Sequence, residues 1–302
     1  MSSMQQVLGG RPSARRRKPR WHARLHGADL AWAIAFIAPY AAVFLAFVVY
    51  PIGFALWMAT RPSLYGQLFS DPNYRGAVVN TLLFVGIGVN LKMFGALLLS
   101  GFFTRRDWWV KIILVAYILP WLVAATQAFI SVHWMLINEE GLVDRLLSVM
   151  LGIDGPIWLD SRWLALASDI VAYIWKWMPF WTLILLAGRM AIPPSIYDAA
   201  EVDGATSIRR FIHVTFPLLA NLYLVCTLLS TLWTLGDFTT VYFVSGGGPL
   251  NASQVLTTLG FHYAFDAGLP SLGVAVAMSA LPLMIPTALM LMRKSQAREG
   301  EL

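Results

Sequence analysis

The sequence predicts an all-α integral membrane protein with six transmembrane helices, and three observations carry that expectation. First, of 302 residues 58% are hydrophobic and only 13% are charged, about half the charged share of a soluble domain. A water-soluble fold could not cover that much apolar surface. Second, six apolar runs each approach the ~20 residues a bilayer requires. They are approximately Leu30–Met58, Val78–Phe103, Trp109–Ile137, Leu164–Met190, Leu218–Val244 and Ser271–Met292. A backbone in lipid must satisfy its own hydrogen bonds, so every run should be helical. Third, Trp21, Trp32, Trp108, Trp109, Trp158 and Trp163 stand at the edges of these runs, as an interfacial aromatic belt does.

In chain order, residues 1–28 form a polar tail with Arg11, Arg15, Arg16, Arg17, Lys18, Arg20 and Arg24. Such a tail sets topology and touches anionic headgroups. The apolar run behind it is too long for the core of a cleavable signal peptide. Residues 29–75 hold the first span and an outer loop. Residues 76–292 hold five further spans, and residues 293–302 form a second tail.

Loop charge sets the orientation. One side collects the first tail, Arg105, Arg106, Lys111, Arg189, Arg209, Arg210, Arg293, Lys294 and Arg298, sixteen Lys and Arg in all. The other side has four, Arg61, Arg75, Arg145 and Arg162. The positive-inside rule therefore places both termini in the cytoplasm. The single cysteine, Cys226, lies in an apolar run, excludes a disulfide framework and reads as packing.

One polar insert stands out on the inner side. Residues 196–217 read IYDAAEVDGATSIRRFIHVTFP. Pro193 and Pro194 suit a helix start, and Asp198 and Glu201 suit its first turns. Gly204 offers a break. A second short helix is expected from Thr206 to Val214, ending before Pro217. On the outer side, Asn138–Trp163 carries Glu139, Glu140, Asp144, Asp154 and Asp160, with a short helix expected at Gly141–Leu151. Gly246, Gly247, Gly248 and Pro249 mark a turn.

The insert resembles a known signature. Asp198-Ala199-Ala200, Asp203-Gly204-Ala205, Phe211, Val214 and Pro217 are similar to the EAA loop of permease subunits of binding-protein-dependent ABC importers. The family usually has Glu first; Asp198 keeps the charge on a side chain one methylene shorter. Further pieces resemble the sugar-uptake branch, the relatives of maltose and glycerol-phosphate permeases. They are Tyr50–Ile52, Asn80-Thr81, the stretch from Trp134 to Leu147 with Gly141-Leu142, Ala191–Pro193, Asp237-Phe238, Tyr242, Gly246–Pro249 and Tyr263–Phe265, spread between Tyr50 and Pro286.

The resemblance implies a type I importer core with a cytoplasmic coupling loop formed by Asp198, Ala199, Ala200, Glu201, Asp203, Gly204, Ala205, Arg209 and Arg210. It implies a heterodimer with a second homologous permease, two ATPase subunits that carry ATP and Mg, and a periplasmic solute-binding protein. It also implies a place in a bacterial inner membrane, and the net positive charge, clustered at span ends, does not read as a nucleic-acid signal. Plain surface positive charge explains Arg209 and Arg210 equally well.

Ionisable residues at membrane depth are functional by default. Lys176 falls in the middle of the fourth run, Asp237 in the outer half of the fifth and Lys92 in the inner half of the second. Tyr173, Lys176, Trp177 and Phe180 share one helix face, and Ser230, Trp233, Thr234 and Asp237 repeat the spacing. Pro179 can kink the first of these helices. Aromatic faces beside hydrogen-bonding groups can stack on and orient a sugar. These positions are similar to those where maltose-type permeases line their cavity, although Lys176 and Asp237 are charged. One expectation is that Lys176 meets an anionic group of a sulfonated or phosphorylated sugar. The other reading is helix packing, with Lys176 and Asp237 neutralising each other and Lys92 snorkelling or pairing between helices.

The sequence has no G-x-x-x-x-G-K-[ST] loop, so it offers no cradle for ATP phosphates. His22, His26, His133, His213 and His262 lack metal-ligand spacing, and Asp198, Glu201 and Asp203 have no partner His. Asn251-Ala252-Ser253 fits a glycosylation tripeptide by pattern alone. No nucleophile–base set is present. The sequence therefore reads as a conduit without catalysis or bound cofactor. An ion-coupled secondary carrier, with Lys176 and Asp237 as its coupling pair, is the alternative.

Overall fold

A computed structural model describes residues 27–137, 141–282, 284–286, 289–290 and 292–293. The basic tail with Trp21, the loop residues Asn138, Glu139 and Glu140, and Lys294 and Arg298 lie outside the described residues. The described chain is helical, with no strand, and it divides into two units at Phe54 and Ala55.

The first unit is a helix that starts at Gly27, with Tyr40 stacked on Phe44 and Tyr50 on Phe54. It widens into a π turn at Leu45–Val49, where the Tyr50 N–H reaches back to Leu45 O. Pro51 follows at once and has no N–H to give. A wide turn thus sits where the ladder loses a donor.

The second unit is organised around two long helices, Pro72–Phe102 and Arg162–Met190. Val89, Met93, Ala96 and Leu97 of the first pack on Trp181 and Leu185 of the second, with Leu219 and Cys226 completing the cluster. Lipid tails are as apolar as these side chains, so close packing and polar ties hold such a bundle. Asn80 is one such tie. Its amide N–H groups reach Ala252 O and Gln254 O at 2.8 Å each, and its oxygen accepts from Arg162 Nε and Nη2 at 3.1 and 2.8 Å. All its capacity is used. Neighbouring Thr81 accepts from Leu256 N–H at 2.9 Å.

Among the described residues, four helices are long and apolar enough to cross a membrane: Ala31–Ala59, Pro72–Phe102, Arg162–Met190 and Ser207–Leu235. The predicted third span is not one rod. Trp108–Leu122 and Ala125–Leu136 meet at 97° and count as one broken span or a re-entrant loop. Pro120 lies inside the first arm, and Val123 is extended. The apolar helix Pro270–Pro286 is shorter. The fifth span also shifts. It ends at Leu235, because Gly236 and Asp237 break it before a separate helix, Thr239–Val244.

The expected stop before Pro217 does not occur. The helix that starts at Ser207 runs through a π turn at Phe211–Thr215 and continues to Leu235. Phe216 N–H bonds Phe211 O, five residues back. Pro217 comes next, the same solution as at Pro51. The expected outer helix is present at Leu142–Leu151.

Candidate functional site

Two places gather the residues that the sequence singled out. The first is a pocket of about 170 Å³ lined by Tyr173, Trp177, Trp181, Trp233 and Asp237. Tyr173, Trp177 and Trp181 are spaced i, i+4, i+8 on the long helix Arg162–Met190, so they share one stripe. Trp233 comes from the end of the helix Phe216–Leu235, and Asp237 from the turn after it. The rings of Trp181 and Trp233 lie 5.4 Å apart, and Phe180 packs on both, at 5.0 and 5.7 Å.

Polar groups enter this aromatic setting in a fixed order. Lys92 Nζ donates to Tyr173 OH at 2.9 Å. Tyr173 OH lies 2.6 Å from Thr234 Oγ1, and Thr234 Oγ1 donates to Ser230 O at 2.6 Å. Thr234 has only one proton, so Tyr173 must donate to it. The chain therefore runs one way, from the Lys92 ammonium to the Ser230 carbonyl. Asp237 uses Oδ1 to accept the Thr240 N–H at 2.9 Å, which ties the turn to the first turn of the helix Thr239–Val244. Among the described residues two buried donors here have no partner, Trp177 Nε1 in the pocket wall and Ser230 Oγ, whose own carbonyl accepts from Thr234.

Lys176 departs from its expected place. It is buried, and its ammonium donates to Pro120 O at 2.7 Å, Trp121 O at 3.1 Å and Val123 O. Its three protons are all engaged, and it forms no ion pair with Asp237 among the described residues. Lys92 is fully buried against the Tyr173 ring, at 4.1 Å. Helical spacing put Lys176 on the aromatic face, but it sits on the flank towards the broken span. Spacing alone did not reveal Lys92 as a neighbour of the site, since its partner Tyr173 is 81 residues away, whereas Trp181 continues the i, i+4 stripe of Tyr173 and Trp177 and was missed.

The second place is the polar insert. Pro194–Val202 is a helix with a proline in its first turn. Asp203 closes it, Gly204 turns with φ of +74°, and Ala205 N–H returns to Ala200 O at 2.9 Å. That left-handed step suits glycine. A second helix opens at Ser207. Ala200 is buried, whereas Asp198, Ala199, Glu201, Asp203 and Arg209 are exposed. Arg210 and Glu201 pair across the turn at 3.5 Å, an exposed contact that adds little. Sequence reasoning missed two members. Val202 is 88% exposed and Ile208 73% exposed, one on each side of the glycine. Their signal was an apolar side chain in the middle of a polar insert.

Residues 93–293 match the family described as binding-protein-dependent transport system inner membrane component. The chain belongs to this family. Among its relatives is the sulfoquinovosyl glycerol transport system permease protein SmoG of Agrobacterium fabrum, 31% identical over 88% of this chain and 92% of that protein. The trehalose/maltose transport system permease protein MalF of Thermococcus litoralis is 26% identical over 87% of this chain and 92% of its own length. The lactose transport system permease protein LacF of Rhizobium radiobacter is 28% identical, covering 87% and 93%. The permease fold is also that of a chain in a crystal structure of a bacterial ABC transporter involved in the import of the acidic polysaccharide alginate. That match has a TM-score of 0.74 at 20% identity and covers 88% of this chain and 96% of the other. A second structure, of the alginate transporter in complex with alginate pentasaccharide-bound periplasmic protein, matches with a TM-score of 0.71 at 20% identity over 86% and 92%.

Proposed function

We propose that this permease moves a sugar or sugar derivative inward through a bacterial inner membrane, as one of two homologous membrane subunits driven by two ATPase subunits. The observation that carries the reading is the aromatic pocket, with the Trp177 indole N–H and the Asp237 carboxylate in its wall. Indole faces stack on the C–H faces of a sugar ring, and a carboxylate accepts from its hydroxyls. The family's relatives named for sulfoquinovosyl glycerol, trehalose/maltose and lactose support a sugar as cargo.

The pocket's 170 Å³ is below the roughly 300–1,000 Å³ of ordinary small-molecule sites. Trp233, 53% exposed, turns a face away from its own bundle. Both features suit half a cavity, completed by the second permease. A solute-binding protein delivers the sugar on the outer side. On the inner side the loop Asp198–Arg210 seats in an ATPase subunit, with Val202 and Ile208 as apolar anchors. ATP binding in the partners moves the loop, and the two bundles rock about the cavity between them. ATP and Mg stay with the partners, and this chain hydrolyses nothing. An anionic cargo would meet Lys92 through Tyr173, because the Lys176 protons are already engaged.

The test is uptake of labelled sugars into vesicles holding the reconstituted complex, with the binding protein outside and ATP inside. ATP without an ion gradient should suffice. Uptake that needs a proton or sodium gradient and ignores ATP would refute the importer.

A further inference from the structure

A second, larger cleft lies at the end of the bundle that carries the polar insert. Its volume is about 630 Å³, and its lining includes Arg105, Arg106, Arg189, Arg210, Tyr197 and Asp198. Three candidate spans have an end at this cleft: Pro72–Phe102, Arg162–Met190 and Ser207–Leu235. That places it at the depth of lipid headgroups. Met190 in its wall is an exposed apolar side chain, and exposed Trp108 opens the helix that follows Arg105 and Arg106 in the chain.

Its positive charge is not fully answered by the protein. Arg189 is held in place by one bond, from Nη2 to Leu97 O at 3.2 Å, with its guanidinium 5.7 Å from the Phe211 ring. Gly101 gives it room, since a Cβ there would stand 3.1 Å from Nη1. Arg189 Nε is buried without a partner among the described residues. Arg105 rests on the Phe102 ring at 5.7 Å. Among the described residues no carboxylate pairs with Arg105, Arg106 or Arg189.

The charge balance favours an anion. Four guanidinium groups and the N-terminal ends of the helices at Pro194 and Ser207 face Asp198, Glu201 paired with Arg210, and the C-terminal ends of two helices. The half-charges of the helix ends offset one another, and about two positive charges are left over. A phosphodiester carries one negative charge and accepts from planar arginine forks. We propose that this cleft binds the phosphodiester headgroup of an anionic phospholipid, with Arg105, Arg106 and Arg189 as its donors. Basic pockets between spans favour such headgroups. The acyl chains leave past Met190 and Trp108 into the bilayer. Bound lipid fixes the root of the polar insert.

The probe is phosphatidylglycerol, set against phosphatidylcholine with identical acyl chains. The full chain in non-ionic detergent is given both lipids in equal amounts, and retained lipid is counted by native mass spectrometry. Phosphatidylglycerol should be retained in clear preference, and each arginine replaced should reduce that preference about fivefold. The variants are R189Q and the double variant R105Q/R106Q. Equal retention of the two lipids by the unaltered chain would overturn the proposal, and so would variants that keep the full preference. Should a variant fail to fold, hydrogen exchange of residues 101–106 in the unaltered chain decides. Exchange should slow in phosphatidylglycerol nanodiscs relative to phosphatidylcholine ones, and equal rates would overturn the idea. Displacement of the lipid by inorganic phosphate at equal concentration would assign the cleft to a soluble anion. Displacement by a purified ATPase subunit would assign it to a protein contact. Either result would refute the lipid site.

Discussion

Lys176 Nζ lies 2.7 Å from the carbonyl oxygen of Pro120, and this contact holds the bend of the broken third span. The last carbonyls of a helix have no partner within it. In water they would be solvated, but at membrane depth each needs a donor. The three ammonium protons of Lys176 answer Pro120, Trp121 and Val123. The positive charge also suits the helix's C-terminal end. A cation that looked like a cargo ligand is thus a brace between Trp108–Leu122 and Arg162–Met190.

Lys176→Met should therefore act on stability. It leaves acceptors orphaned at a cost on the order of 1–3 kcal/mol. The melting temperature of the purified chain should fall, while the apparent KM of the surviving transporter stays the same. A changed KM at an unchanged melting temperature would return Lys176 to the solute.

Trp177→Phe removes the unpartnered indole N–H and keeps an aromatic face. If that donor binds the solute, KM should rise about 2- to 12-fold, the equivalent of one hydrogen bond. Trp233→Ala removes a stacking surface as well and should weaken uptake further. Vesicle uptake across a concentration series measures both. Identical KM values for Trp177→Phe and the unaltered chain would mean that the pocket is packing.

Asp237→Asn removes the charge and keeps the Thr240 contact, because an asparagine oxygen can still accept the Thr240 N–H, although the second oxygen becomes a donor. The variant takes the negative charge out of the pocket wall. Preference should move towards acidic cargo by on the order of tenfold, the effect expected from removing one partly screened charge near the site. Competition between a neutral sugar and its uronate measures the shift, and a move towards the neutral sugar would contradict the assignment.

Much of this structure was legible because long apolar runs and a polar insert are strong signals. The break at Gly204 could be read from one residue type. The bend after Leu122 could not, since Val123, Ala124 and Ala125 continue the same apolarity through the turn. Hydropathy measures which solvent a segment suits, not its direction. The same blindness merged Phe216–Leu235 with Thr239–Val244. The pocket was half legible. Periodicity placed Tyr173, Trp177, Trp233 and Asp237 on usable faces, and the structure brings those four together. It also put Lys176 among them, because a helix face shows which residues are neighbours but not which helix lies opposite.

The polar insert supplies the last prediction. Val202 and Ile208 are exposed on the two sides of Gly204, yet neither supports the fold beneath. Val202→Asp should change the stability of the chain by no more than about 0.5 kcal/mol, as exposed substitutions do. If the insert seats in an ATPase subunit, the same change puts a charge into an apolar contact at its centre, where binding energy concentrates. Co-purification of the ATPase should then be lost. Gly204→Val acts differently. No atom stands within 4 Å of a Cβ there, so the whole effect is backbone strain from a left-handed residue, about 1–2 kcal/mol. The turn that sets Pro194–Val202 against the helix from Ser207 would loosen. ATPase subunits should still associate, but ATP hydrolysis should no longer respond to loaded binding protein. The two variants separate grip from transmission. A chain carrying Val202→Asp that still holds its ATPase, with turnover rising normally on loaded binding protein, would show that the insert is not the coupling element.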